Sequence, residues 1–246
     1  MTGDAPKHIA ARNVARDGFR YFDFVMAAFV AILLLSNVIG AAKRSSIELP
    51  YLGEWPFGAG VLFFPISYII GDMLTEVYGF ARARRVIWTG FGALAFMAVM
   101  SWVVVSLPPA PGWKDQAAYE AVFGNSWRIV MASMLAFWVG EFANSIVLAR
   151  MKVQDSGRRM GLRFVASTVV GQGLDSLIFY PVAFWNIESW PTAELFKTVF
   201  SQWAIKTGWE IVLLPVTIAI VAALKKHEGV DVFDEGTSFS PFKTSV

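Results

Sequence analysis

The sequence lacks cysteine and has only two histidines among its 246 residues. Without cysteine the chain cannot form disulfides, thiolate zinc sites, iron–sulfur clusters or cysteine nucleophiles. His8 and His227 both lie in polar terminal segments, so a metal site or a Ser/His dyad inside the fold has no histidine to use. We therefore expect no enzymatic activity, no metal and no cofactor.

Charged residues are also scarce, at 16% of the chain, while hydrophobic residues reach 56%. Soluble domains contain about 25% charged and 45–50% apolar residues, so this composition is shifted toward lipid. The net charge is +2, and no basic segment interleaved with aromatic residues is present, which argues against nucleic-acid binding. These values disfavour a soluble enzyme and favour a membrane protein.

Long apolar runs dominate the chain. A helix that crosses the hydrocarbon core of a membrane needs about 20 apolar residues. Six runs near that length occur, at residues 24–42, 56–78, 86–107, 129–149, 164–185 and 198–224. They predict an all-α, polytopic membrane protein with six transmembrane helices. Between them, residues 43–55 suggest a short strand or hairpin, and residues 114–122 a surface helix.

The basic residues indicate the orientation of the chain, because cytoplasmic loops retain Lys and Arg. Most of the 21 Lys and Arg residues lie in alternate segments, around residues 7–20, 82–85, 150–163 and 225–243. Both termini are therefore predicted to be cytoplasmic. The predicted organisation is a cytoplasmic N-terminal tail (1–21), a transmembrane domain (22–224) and a polar, disordered cytoplasmic tail (225–246).

Polar residues inside the runs are the candidates for function, since a charge at bilayer depth costs roughly 2.5–3.5 kcal/mol. They occur in pairs three or four residues apart, a spacing that places both members on one face of a helix. The pairs are Asp72 with Glu76, Glu141 with Asn144, Gln172 with Asp175, and Lys206 with Glu210. Each pair can face the interior of the bundle while the rest of its helix faces lipid.

Position within each run predicts two tiers of polar side chains. The outer tier lies at the depth where transporters place substrate, and it contains Asn37, Gln172, Asp175, Lys206 and Glu210. The inner tier is predicted to serve in gating, in coupling or as a structural network, and it contains Asp72, Glu76, Glu141 and Asn144. The outer tier together with Asn144 forms the predicted substrate site.

Structural alternatives exist for most of these residues. Lys206 and Glu210 could form an ion pair within one helix, and Glu76 could pair with an arginine in the segment 82–85 at the cytoplasmic interface. The amides of Asn37, Asn144 and Gln172 could bond helices together. Asp175 has no cation within a turn on its own helix, so it requires a partner from another helix, a proton or a ligand.

The acidic side chains outnumber the one lysine within the runs, which favours cations or molecules rich in N–H donors as ligands. A carboxylate can accept two N–H donors from one edge of a guanine-like ring, an amide can bind its oxygen and ring nitrogen, and an aromatic face can stack on it. These properties fit a nucleobase. They fit a vitamin, an amine or a cation equally well.

Four segments resemble the queuosine precursor transporter family. They are FPISYIIGDMLTEVYGFARARR (64–85), GEFANS (140–145), ASTVVGQGLDSLIFYPVAFW (166–185) and the Lys206 run that ends in LLP (213–215). The resemblance extends from the first run to residue 224. It implies a six-helix membrane fold similar to the substrate-binding subunits of energy-coupling-factor vitamin transporters, here working without the ATPase partners. It also implies residence in the bacterial inner membrane.

The resemblance further implies import of 7-deazaguanines, the compounds used to make the queuosine base of tRNA. The motif positions of the family fall on Asp72, Asn144, Gln172, Asp175 and Lys206. Some members carry other side chains where this chain has Glu76, Glu141 and Glu210. The substrate could be 7-cyano-7-deazaguanine, 7-aminomethyl-7-deazaguanine or queuine. A vitamin-binding subunit of an ATP-driven importer is the alternative; the energy source and a homo-oligomeric state are left open.

Overall fold

The structure, a computed structural model, describes residues 7–10, 19–40, 43–49, 53–124, 127–186 and 191–243. Within these ranges the chain is mostly helical. It has seven α-helices: α1 (Phe22–Leu35), α2 (Phe64–Tyr78), α3 (Phe80–Val105), α4 (Gln116–Phe123), α5 (Trp127–Gln154), α6 (Met160–Phe184) and α7 (Thr192–Glu228). Its four strands are β1 (Lys7–Ala10), β2 (Arg44–Leu49), β3 (Gly53–Gly58) and β4 (Val230–Phe233).

Helix α2 lies at the centre of the bundle. Every residue from Ser67 to Phe80 is buried, and α2 contacts α1, α3, α5 and α7. A helix that is covered on all sides can carry apolar residues around its whole circumference. Leu74 and Val77 of α2 accordingly join Phe29 of α1 and Phe142 of α5 in the hydrophobic core.

Among the residues that the structure describes, four helical stretches are long and apolar enough to cross a membrane, and they lie within Phe22–Ile39, Phe80–Val105, Gln116–Gln154 and Thr192–Glu228. Their outer faces carry large exposed apolar side chains, such as Phe96 on α3 (68% exposed) and Val212 on α7 (67% exposed). Exposed apolar surface on this scale is favourable against lipid and unfavourable against water. These helices therefore form the lipid-facing part of the protein.

The second predicted span begins too early, because residues 56–58 belong to strand β3 and Ala59–Leu62 form a 3₁₀ turn. Helix α2 then has 15 residues, which gives it a length of about 22 Å. The predicted hairpin is confirmed, since β2 and β3 pair antiparallel from Arg44 opposite Gly58 to Leu49 opposite Gly53. The predicted surface helix is also confirmed, as α4 has no buried residue.

A single residue separates α2 from α3, so the basic segment 82–85 lies inside a helix and not in a loop as predicted. Gly79 has φ +83°, and a Cβ at this position would approach Cγ1 of Val232 to 2.9 Å. Both facts favour glycine at this junction. Arg84 donates hydrogen bonds to the carbonyl oxygens of Ser238 and Ser240, each at 3.0 Å, and its guanidinium thus holds the C-terminal segment.

That C-terminal segment differs from the predicted disordered tail. Helix α7 continues to Glu228, and β4 follows it and pairs in parallel with β1 of the N-terminal segment. Val232 and Phe233 are buried. These two apolar side chains anchor the segment to the bundle, although its mostly polar composition predicted disorder. Asp234 accepts hydrogen bonds from the Phe80 backbone N–H through both carboxylate oxygens, at 3.0 Å each.

Asp234 acts as a cap for helix α3, supplied from the far end of the chain. Burial raises the pKa of the Asp234 carboxyl, and the hydrogen bonds from the Phe80 N–H and the Thr237 side chain oppose that rise. Removing a helix cap costs about 0.5–2 kcal/mol. We expect Asp234→Ala to lower the thermal stability of the detergent-solubilised protein by a corresponding amount. Glu235→Ala, a change at the exposed neighbouring residue, should have no effect; equal losses from both changes would refute the capping role.

Candidate functional site

A cavity of about 800 Å³ opens at the end of the bundle that carries the β2–β3 hairpin and α4. Its polar wall includes Asn37, Tyr68, Glu141, Asp175, Gln202 and Lys206. Its apolar wall includes Leu33, Met97, Phe137, Phe179, Tyr180 and Phe184. Ligand sites typically have volumes of about 300–1,000 Å³ and combine apolar walls with a few polar groups. The cavity fits that description.

An ion pair between α6 and α7 lies on the cavity wall. The Lys206 Nζ atom is 2.6 Å from Oδ2 of Asp175, and the two side chains are 5% and 13% exposed. The partner that Asp175 required from another helix is therefore Lys206. The alternative of an ion pair between Lys206 and Glu210 is not supported: within the described residues, neither carboxylate oxygen of Glu210 has a hydrogen-bond partner.

Glu141 of α5 also lines the cavity, which corrects its predicted place in the inner tier. It is 1% exposed, and its Oε2 atom has no hydrogen-bond partner in the described part of the chain. Gly71 of α2 leaves the space for this carboxyl group, since a Cβ there would lie 3.1 Å from Oε2 of Glu141. The cavity wall thus carries a second acidic group beside the Asp175–Lys206 pair.

Asn37 lies in a five-residue π-helical turn, Ser36–Gly40, that continues α1. Its side-chain amide donates to the Leu33 carbonyl at 2.9 Å, and its Oδ1 atom accepts from the Ser133 hydroxyl at 3.2 Å. The side chain joins α1 to α5, as the structural alternative suggested, and it lines the cavity as well. The two roles coexist at this position.

Gln172 is 1% exposed and lies behind the cavity wall rather than on it. Its Oε1 atom has no hydrogen-bond partner among the described residues, whereas Tyr68 of α2 reaches the cavity. Tyr68 and Gln202 were both missed by the sequence interpretation. Spacing could have found them, because Tyr68 is four residues before Asp72 and Gln202 four before Lys206, on the same helix faces.

Asp72, Asn144 and Glu210 are buried together, away from the cavity wall. The Asn144 amide donates to Oδ1 of Asp72 at 2.7 Å, and the carboxyl group of Glu210 lies near enough to Asp72 for their charges to repel. The prediction that Glu210 belongs to the outer tier is wrong. It lies four residues beyond Lys206 on α7, and four residues of helix advance the chain by about 6 Å.

A network of charged side chains occupies the opposite end of the bundle, beside β4. Both oxygens of Glu76 accept from the guanidinium of Arg163, at 2.8 and 2.9 Å, and Lys225 lies 2.6 Å from Glu76. Lys152 and Lys225 both bond to Asp231, at 2.6 and 2.8 Å. Glu76 therefore has a structural ion-pair role, but the predicted partners from segment 82–85 are wrong.

Helices α5 and α6 approach closely where the candidate residues lie. A Cβ at Gly171 would lie 2.8 Å from Cβ of Asn144 and 2.9 Å from the Gly140 carbonyl oxygen. A Cβ at Gly140 would lie 3.1 Å from Cβ of Asp175. Small residues at such a crossing let two backbones touch. This contact sets the separation between the polar residues of α5 and those of α6.

We expect Gly171→Ala to destabilise the protein by about 1–3 kcal/mol, because overpacking forces side chains or backbone to move. The matched control is Gly92→Ala in α3, where a Cβ meets no atom within 4 Å. Alanine favours a helix over glycine by up to about 1 kcal/mol, so the control should be neutral or stabilising. Thermal unfolding in detergent measures both variants, and a stable Gly171→Ala protein would contradict the close crossing.

Lipid-facing apolar helices around a polar cavity define the class of this protein as a multi-pass membrane transporter. Residues 58–220 match the family described as "Putative vitamin uptake transporter". The "Probable queuosine precursor transporter" of Bacillus subtilis (strain 168) is 32% identical over 170 residues, which cover 69% of this chain and 73% of that protein. The chain therefore belongs to the vitamin uptake transporter family, together with queuosine precursor transporters.

Two further relatives agree with this assignment. The "Queuosine precursor transporter" of Escherichia coli (strain K12) is 29% identical over 52% of this chain and 55% of its own length. The "Probable queuosine precursor transporter" of Haemophilus influenzae is 28% identical over 66% of this chain and 63% of its own length. No solved structure matches the chain. The resemblance seen in the sequence motifs is confirmed.

The relatives are named as transporters and not as enzymes, in agreement with the expectation of no enzymatic activity. They come from bacteria, and the apolar helices require a membrane. The protein is thus a multi-pass protein of the bacterial inner membrane.

Proposed function

We propose that the protein imports a queuosine precursor, a 7-deazaguanine, and binds it in the cavity beside Asp175 and Lys206. The observation that carries the proposal is this buried ion pair on the wall of an 800 Å³ cavity, in a chain whose relatives are named for that substrate. The pair offers one strong acceptor and one strong donor at the same place.

The chemistry of a 7-deazaguanine matches these groups. One edge of the base presents a ring N–H and an exocyclic amine next to a carbonyl oxygen. A carboxylate accepts both N–H groups, and an ammonium donates to the carbonyl oxygen. Asp175 therefore takes the N–H donors and Lys206 the oxygen, so that the substrate enters between the two partners. Glu141, whose Oε2 is unpaired within the described residues, accepts a further donor, including an aminomethyl group.

Aromatic residues supply the flat surfaces for such a ring. Phe179 and Tyr180 lie on the cavity wall with their rings edge to face at a centroid distance of 5.0 Å. Stacking on an aromatic face is worth about 1–3 kcal/mol per base. Gln172 is buried one turn before Asp175 on α6 and does not line the cavity.

The topology that serves this transport has six spans, α1, α2, α3, α5, α6 and α7, with α4 on the outer surface and both termini in the cytoplasm. This arrangement is the one expected for a fold similar to the substrate-binding subunits of energy-coupling-factor transporters. The cavity then faces outward, and the network around Glu76 lies at the cytoplasmic end, where it closes the bundle beneath the substrate.

Uptake by proteoliposomes that contain the purified protein tests the proposal. Radiolabelled 7-cyano-7-deazaguanine, 7-aminomethyl-7-deazaguanine and queuine are compared with guanine, biotin and riboflavin. We expect saturable uptake of at least one deazaguanine and none of the vitamins. Uptake that requires an added ATPase would support a subunit of an ATP-driven importer, and uptake of a vitamin alone would overturn the substrate assignment.

A further inference from the structure

A second polar cluster is separate from the cavity and is formed by Asp72 of α2, Asn144 of α5 and Glu210 of α7. The three residues are 0%, 0% and 1% exposed, and none of them lines the cavity. Three different helices thus place polar side chains at one buried point. The substrate site described above does not use any of them.

The hydrogen bonds of this cluster are incomplete. The Asn144 amide donates to Oδ1 of Asp72 at 2.7 Å. Oδ2 of Asp72, Oδ1 of Asn144 and both carboxylate oxygens of Glu210 have no hydrogen-bond partner among the residues that the structure describes. All four atoms are acceptors, and a buried acceptor without a donor is costly. A proton on one of the two carboxyl groups would supply a donor to these acceptors.

After Glu210, the charged groups that act most strongly on Asp72 are Glu141 of α5 and Glu76 of its own helix, both acidic. Glu76 is neutralised by the network beside β4. Lys206 lies on the Glu210 face of α7, one turn away, but its Nζ atom bonds to Asp175. Two carboxyl groups that share a water-excluded site cannot both be ionised at low cost.

The cluster lies between the cavity at one end of the bundle and the charged network at the other end. Tyr68, Asp72 and Glu76 are spaced by four residues on α2 and so follow one face of that helix. Tyr68 lies on the cavity wall, and Glu76 lies in the charged network at the opposite end. Asp72 is therefore halfway between them, about 6 Å along the helix from each. A substrate that moves inward from the cavity passes this level.

We propose that Glu210 and Asp72, which Asn144 holds by a hydrogen bond, share a transferable proton that is the coupling ion for import. The proposal rests on the proposed function. One proton binds to the carboxylate pair from the cavity side and leaves to the cytoplasm for each substrate carried inward, so the pair returns to its starting charge. The hydroxyl groups of Ser176 and Thr207 are buried and have no partner in the described ranges, and Thr207 lies three residues before Glu210 on α7, on the same face of that helix. A hydrated metal cation would need an opening, whereas a proton can pass along hydroxyls.

Infrared spectroscopy of the purified protein in lipid tests the proton site without any substrate. We expect a carbonyl-stretch band of a protonated carboxyl group at neutral pH that weakens in Asp72→Asn and in Glu210→Gln. The control Glu235→Gln changes an exposed carboxyl group and should leave the band unchanged. A band unaffected by both cluster variants, or abolished by adding sodium, would overturn the proton assignment.

Proteoliposome uptake tests the coupling. For a symport of one proton per substrate, a gradient of one pH unit, acid outside, supports about tenfold accumulation of the deazaguanine. Asp72→Asn and Glu210→Gln should equilibrate the substrate but not accumulate it, while Glu235→Gln accumulates it normally. Accumulation by the wild type that ignores the pH gradient would overturn the coupling alone. Absence of any deazaguanine uptake by the wild type would overturn the proposed function and the coupling with it, whereas the infrared result is independent of both.

Discussion

Asp175→Asn is expected to lower the uptake of a 7-deazaguanine by about 10- to 100-fold, the value of a hydrogen bond to a charged group. Asparagine keeps the shape of the side chain but loses the charge, and it has one acceptor oxygen for two N–H donors of the base. It also removes the carboxylate that Lys206 bonds at 2.6 Å. Uptake by a strain that cannot synthesise deazaguanines measures the effect.

The control for this experiment is Asp115→Asn, because Asp115 is exposed and precedes helix α4. Both variants are compared at equal amounts of protein in the membrane, so that a folding defect is not mistaken for a transport defect. Purified Asp175→Asn should also lose the thermal stabilisation that the substrate gives to the wild type. Wild-type uptake by a correctly inserted Asp175→Asn protein would contradict the role of Asp175.

Arg163→Met is expected to destabilise the fold by about 3–5 kcal/mol, the cost of removing one partner of a buried ion pair. Arg163 is fully buried, and it bonds both oxygens of Glu76, which is also fully buried. Methionine is close to arginine in volume, so the main change is that Glu76 loses its bidentate partner. Lys225, which lies 2.6 Å from Glu76, then neutralises most of the negative charge of Glu76.

The thermal unfolding of detergent-solubilised protein measures this loss against Arg158→Met, a change at an exposed arginine of the same segment. A double variant, Glu76→Gln with Arg163→Met, sharpens the test. Because the two residues act as a pair, the double variant should lose less stability than the sum of the single changes. Equal stability of Arg163→Met and Arg158→Met would show that the buried network does not support the fold.

Asp175 could be identified from the sequence, because the free energy required to place a carboxyl group within the bilayer does not depend on how the helices are arranged. A carboxyl group in the middle of an apolar run needs a partner wherever its helix lies. The identity of that partner could not be predicted from the sequence. Lys206 is 31 residues away from Asp175, and the helical spacing within α7 offered Glu210 as an alternative local partner for the lysine.

The partners of Glu76 were also not predictable from the sequence, because they lie even farther away along the chain. Arg163 and Lys225 lie 87 and 149 residues from Glu76, while the arginines of segment 82–85 lie nearby in sequence. Nearness in sequence predicted the pairing wrongly, because Gly79 turns the chain into α3 and directs these arginines elsewhere. Charge counts along the chain predict orientation, but they do not distinguish a cytoplasmic arginine from a buried one.

The depth of Glu141 and Glu210 was misjudged for a related reason. Position within an apolar run measures depth only if the helix begins where the run begins. Helix α5 starts at Trp127 and α7 at Thr192, before their apolar runs begin, and the short central helix α2 starts at Phe64, eight residues after the beginning of its run. The polar face of each helix was predictable, whereas its register against the neighbouring helices was not.

The glycine crossing of α5 and α6 has a consequence for how the transporter can move. Because the backbones meet closely at Gly140 and Gly171, sliding of α5 past α6 is disfavoured, and we expect the two helices to move together. The separation of Glu141 and Asp175 should then change little. In the proposed function the Lys206 ammonium leaves Asp175 when substrate binds, so the expected movement is that of α7 relative to the α5–α6 pair.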